Sequence, residues 1–242
     1  MHSRHEAFIN EAIRLRQKYA GKIKILIGFE AEWIRPSYAT LVQELASNSA
    51  VDFFVGSVHH VNEIPIDFDN AFYELAREKA GGTDQRIFED YFDSQFEMLK
   101  TLKPVVVGHF DLIRLLSDEP DRDLKHMAGI WEKIIRNLNV VVGYGGLLEI
   151  NTSALRKGLK EPYPGRAICE EFLSMGGKLT LSDDSHGTAQ VGTNFGKAFE
   201  YLDSLGVQEM WTLEPSIEGA GEKKIPEFCK VELKTIKKSF KA

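Results

Sequence analysis

The sequence predicts a parallel α/β fold. Short β-prone apolar runs alternate along the chain with segments whose apolar residues recur every three to four positions. Glycine or proline closes several of the helical segments. At 242 residues the chain is long enough for one large core.

The first helix is expected over 5–20, with Phe8, Ile9, Ala12, Ile13 and Tyr19 at helical spacing and Gly21 as its stop. A strand over 23–28 runs on to Glu30, and a helix over 37–47 follows. The next strand, 52–58, delivers His59 and His60, and 61–70 reads as a long polar loop. Helices are expected at 71–80 and 83–102, the second capped by Thr83 and ended by Pro104. A strand at 105–107 ends in Gly108-His109-Phe110-Asp111. A helix over 123–142 ends at Gly143, Gly145 and Gly146. The strand 147–150 ends in Asn151. Next come a helix at 164–175, a strand at 178–182, a helix at 194–204 and a last strand at 209–213. Residues 1–215 read as one domain. Residues 216–242 read as a C-terminal tail whose lysines, from Lys230 on, are solvated.

Composition excludes several classes. Hydrophobic residues make up 43% and charged residues 27%, as in an ordinary globular protein. A net charge of -6, with histidines neutral, gives no support to a nucleic-acid partner. No apolar run is long enough to span a membrane, and no apolar signal region opens the chain. Cys169 and Cys229 lack redox or metal spacing and fit reduced thiols in a cytoplasmic protein.

The chemistry collects at strand ends. Glu30, His59 with His60, His109 with Asp111, Asn151, and Asp184 with His186 each follow a predicted strand. In a parallel sheet these C-terminal ends share one edge, where active sites are built. One such histidine alone is an ordinary packing residue. Four ends carrying histidine or carboxylate point to a metal centre, with Asp184 and His186 on one face of an extended run. Imidazole nitrogen and carboxylate oxygen suit zinc, manganese or iron. Two or more such ions would clamp a phosphoryl group for attack by a bridging hydroxide. Arg156 and Lys157, on the loop after 147–151, are candidates to hold phosphate, Arg156 through its bidentate fork. There is no nucleotide-binding glycine loop and no Gly-x-Ser-x-Gly elbow.

These residues stand in recognisable runs: Gly28-Phe-Glu30, Gly56-Ser-Val-His-His60 with Val-Asn-Glu-Ile-Pro-Ile-Asp67, Gly108-His-Phe-Asp111, Glu149-Ile-Asn-Thr-Ser-Ala-Leu-Arg-Lys157 and Ser182-Asp-Asp-Ser-His186. Together they resemble the PHP (polymerase and histidinol phosphatase) superfamily, and within it the monofunctional, fungal-type histidinol-phosphate phosphatases. The resemblance implies a distorted (β/α)7 barrel and hydrolysis of L-histidinol phosphate to L-histidinol and phosphate in histidine biosynthesis. It implies two or three divalent ions. By motif, Glu30 would bridge two of them, His59 and His109 would complete one, Asp184 would bind the other, and His186 the third. Arg156 would hold the phosphate with Lys157 and Asn151 nearby, and His60 would be a polar catalytic contact. The family's opening His-x-His run is not found, and His2 and His5 have the wrong spacing for it. The expectation is therefore a barrel N-terminally truncated by about two βα units, either active, or catalytically impaired, or acting on another small phosphoester.

Overall fold

The computed structural model describes residues 2–215 and 226–240. Chain order is α1 (His2–Lys18), β1 (Gly28–Glu32), α2 (Tyr38–Ala46), β2 (Phe53–Ser57), β3 (His60–Val61), β4 (Ile64–Pro65), α3 (Asn70–Ala80), α4 (Asp84–Leu102) and β5 (Val106–Val107). It continues through α5 (Ile130–Tyr144), β6 (Leu147–Asn151), α6 (Ser153–Arg156), α7 (Arg166–Ser174), β7 (Lys178–Ser182), α8 (Phe195–Ser204), β8 (Glu209–Glu214), β9 (Glu227–Glu232) and α9 (Leu233–Ser239).

Five strands form the central sheet in the order β1-β2-β5-β6-β7, and every neighbouring pair is parallel. Strand order follows chain order without reversal. Right-handed crossovers that always step the same way put their helices on one face, the winding that barrels use and doubly wound sheets do not. Register aligns the strand ends: Glu32 pairs with Ser57, Gly56 with Val107, and Asn151 with Ser182. The loops leaving β2, β5, β6 and β7 therefore emerge together.

The strand β6 is buried at all five positions, as a central parallel strand should be. Its Leu148 and Ile150 join Tyr91 and Phe92 of α4, Ile134 and Leu138 of α5, Phe110 and Phe172 in the main core. A satisfied polar chain crosses that core. Asn137 Nδ2 donates to the Phe92 carbonyl and to Gln95 Oε1, and Gln95 Nε2 donates to the Phe110 carbonyl. It ties both helices to the loop that carries His109.

Several sequence expectations are corrected. The first strand begins at Gly28, where pairing with Phe53 of β2 begins. The helix expected from 123 is a short 3-10 turn at Leu124–His126 followed by α5, because Gly129 takes a left-handed φ of 81°. The polar loop 61–70 contains the β3–β4 hairpin, turned by Asn62 and Glu63 at φ 52° and 66°. The strand at 209–213 becomes β8, which pairs antiparallel with β9 in a separate two-stranded sheet. The tail is accordingly not all solvated: Leu233 is buried, and the ammonium groups of Lys178 and Lys230 lie 4.6 Å and 5.5 Å from the centre of the Trp211 ring. No helix among the described residues is long and apolar enough to cross a membrane.

Candidate metal centre

Glu30 lies near the end of edge strand β1, His59 two residues beyond β2, and His109 two residues beyond β5. Parallel pairing in register brings the three together, each offering one ligand atom, all within 4.8 Å of one another. Nε2 of His109 is 3.0 Å, and Nε2 of His59 3.6 Å, from the same oxygen, Oε1 of Glu30. The two imidazole rings meet edge-on at 4.7 Å. Glu30 has no lysine or arginine ion-pair partner among the described residues.

The electrostatics favour a cation at this point. Burial pushes the Glu30 carboxyl up, but the His109 hydrogen bond and the His109 and His59 charges outweigh it and bring it down to about 2. Burial pushes His109 down, yet the bond and charge of Glu30, with Glu149 and Asp184 behind it, raise its affinity for a proton. His59 moves the other way, lowered by burial and then by the His109 charge. Two imidazoles and a carboxylate that draws in positive charge fit a divalent ion of the zinc, manganese or iron type.

A second layer holds this layer in place. Buried Glu149 accepts the His109 backbone N–H at 2.8 Å and Asn151 Nδ2 at 3.0 Å. Gly108 fits because a Cβ there would stand 2.5 Å from Ser57 Oγ and 2.9 Å from Val55 Cγ1. Asp111 does not face the triad. It is buried against Arg114, at 2.9 Å, and accepts the Gly165 N–H. Arg114 also donates to the carbonyls of Pro120, Glu161 and Pro162.

The remaining expected residues are placed differently. His60 turns to Glu32, with Nδ1 2.5 Å from Oε1. Asn151 is buried, its Nδ2 donating to Glu149 and its Oδ1 accepting the Ser153 N–H. The Arg156 fork is occupied by the backbone carbonyls of Asp183 and Asp184, both at 3.0 Å. Lys157 is exposed at the end of α6. Asp184 and His186 do not share a strand face, because β7 ends at Ser182 and Asp184 turns left-handed at φ 50°. The charge of Asp184 still reaches His109. His186 stands in solvent with 74% of its side chain exposed and its Nδ1 2.9 Å from the Asp184 carbonyl, apart from the triad. Sequence reasoning gave no role to Glu32, Glu149, Asp67 or Tyr163. A carboxylate two residues past Glu30, on the same strand face, was the available signal for Glu32.

A cavity of about 420 Å³ lined by Asp111, Arg114, Lys125 and Arg166 contains none of Glu30, His59 or His109. Converging ligand chemistry, not cavity size, locates the site.

The known proteins that this chain resembles fall in one family. A family model described as PHP domain matches residues 3–153. A probable histidinol-phosphatase of Schizosaccharomyces pombe is 45% identical over 217 residues, covering 89% of this chain and 71% of its own. The histidinol-phosphatase of Saccharomyces cerevisiae is 36% identical over 237 residues, with 86% and 71% coverage. Among solved structures, histidinol phosphate phosphatase from Lactococcus lactis, complexed with zinc, L-histidinol and phosphate, matches at a TM-score of 0.64 and 19% identity. That match covers 86% of this chain and 76% of the other. The fold, the ligand triad at the sheet edge and these matches lead to one conclusion: the chain belongs to the PHP-domain family, on its histidinol-phosphatase branch.

Proposed function

We propose that this protein is a metal-dependent phosphomonoester hydrolase that converts L-histidinol phosphate to L-histidinol and phosphate, a step of histidine biosynthesis. The observation that carries the reading is the convergence of Glu30, His59 and His109 within 4.8 Å in a chain 45% identical to a probable histidinol-phosphatase. A divalent ion held by these three side chains supplies Lewis-acid polarisation of a phosphoryl oxygen and acidifies water. Asp184, whose charge reaches His109, and His186 remain proposed ligands for further ions. The sheet is read as part of a distorted (β/α)7 barrel.

The protein's own groups do the rest. Glu149 fixes the backbone at His109 and so the direction of its ring. Arg156 is a positioning residue for the 183–184 turn, and gripping phosphate requires it to release one of its two carbonyls. Exposed Lys157 offers a point charge to the phosphate. His60, set against Glu32, is the proton donor to the departing alkoxide. In the reaction an oxygen from water bonds to phosphorus, the P–O bond to the alcohol breaks, and the alkoxide takes a proton. The unpaired thiols of Cys169 and Cys229 fit the proposed cytoplasmic location.

The test is a panel of small phosphomonoesters, assayed for phosphate release with zinc, manganese or iron supplied. L-Histidinol phosphate should give the highest kcat/KM. No release from it, or equal turnover across the panel, would contradict the assignment.

A further inference from the structure

Asp67 is a half-buried carboxylate without a hydrogen bond or ion pair among the described residues. Four other acidic side chains in this region each have a partner. Glu30 holds His109, Glu32 holds His60, Glu149 holds the His109 loop and Asp111 holds Arg114.

Its placement is fixed by backbone geometry. After the β3–β4 hairpin turns the chain back, the Ile66 N–H donates to the His59 carbonyl at 3.0 Å. Asp67 is the next residue, and its charge reaches His59, Tyr91 and Tyr163. Tyr163 is fully buried, its ring 6.3 Å from the His109 ring, and its hydroxyl has no hydrogen-bond partner. One unpaired carboxylate and one unpaired hydroxyl thus lie beside the triad.

A partly desolvated carboxylate without a cation is costly to keep. It would repel a phosphate, so it suits the opposite end of a substrate, where an ammonium or protonated imidazole can pair with it. We propose that Asp67 is the specificity residue that receives the cationic part of the substrate, its ammonium or protonated imidazole group. The inference rests on the phosphatase reading above.

The experiment is calorimetric titration of the zinc-loaded full chain with L-histidinol and, separately, with inorganic phosphate. Asp67→Asn should weaken L-histidinol by about tenfold or more, the scale of one lost charged hydrogen bond. Phosphate affinity should stay within about twofold and zinc content should be unchanged, since the lost contact is to the cation alone. These two readouts also show that the variant folds, and Asp67→Ala provides a second substitution. Unchanged L-histidinol affinity in both variants would overturn the assignment. So would joint loss of zinc, phosphate and L-histidinol, which would place Asp67 with the metal. Wild-type protein that binds phosphate but not L-histidinol would sink the substrate reading, and this inference with it.

Discussion

Glu30 is the electrostatic centre of the site. Its carboxyl titrates at about 2 because two imidazoles face one of its oxygens. Without an ion, a proton on His109 supplies the balancing charge. The folded-state affinity of His109 for that proton is raised above its ordinary value of 6.5. Protonated His109 therefore contributes stability in full below that value and loses it as the pH rises through the folded value. A metal must displace this proton, so the gain in Tm on adding zinc should be larger at about pH 8 than at about pH 6. Equal gains at both would show that His109 is not a ligand. At this scale the sequence was readable where a ligand sits on or just past a strand. Glu30, His59 and His109, picked out that way, meet at one point. The directions of the Arg156 and His186 side chains were not legible, because they depend on the left-handed turn at Asp184 and on which carbonyls the guanidinium meets. Asp67 was hidden in an apparent polar loop, whose two-residue hairpin is set by two non-glycine residues in left-handed conformation.

Each ligand owes its position to an element that cannot easily shift. The loop of His109 is held by Gln95 from α4, by Glu149 from β6, and by the close approach of Gly108 to β2. A methyl group at Gly108 would press on Ser57 Oγ and Val55 Cγ1 at 2.5 Å and 2.9 Å. Gly108→Ala should therefore destabilise the protein by about 1–3 kcal/mol and weaken zinc binding, measured by denaturant unfolding and metal analysis. A variant with wild-type stability and zinc content would mean that this approach does not set the loop. Most helices and parallel strands were legible from periodicity and their caps; Thr83, for example, accepts the Arg86 N–H as expected. The pairing of β8 with β9 was not legible, since an edge strand's partner is chosen by tertiary packing around Trp211 and Leu233.

For the molecule as a whole, parallel register converts local strand ends into one catalytic edge. Strand order that never reverses keeps the loops of β2, β5, β6 and β7 on that edge, and β1 brings Glu30 to it as the outermost strand. Fold class and family were legible because those ends carry the chain's distinctive runs. The central claim is that Glu30, His59 and His109 hold the ion on which phosphate release depends. It is tested most directly by comparing wild type with Glu30→Gln in bound zinc and in kcat/KM for L-histidinol phosphate. The account predicts loss of zinc from the variant and a fall in kcat/KM of about a hundredfold or more, since even outer-layer changes at metal sites cost about ten- to a hundredfold. A Glu30→Gln protein that retains zinc and releases phosphate at the wild-type rate would contradict it.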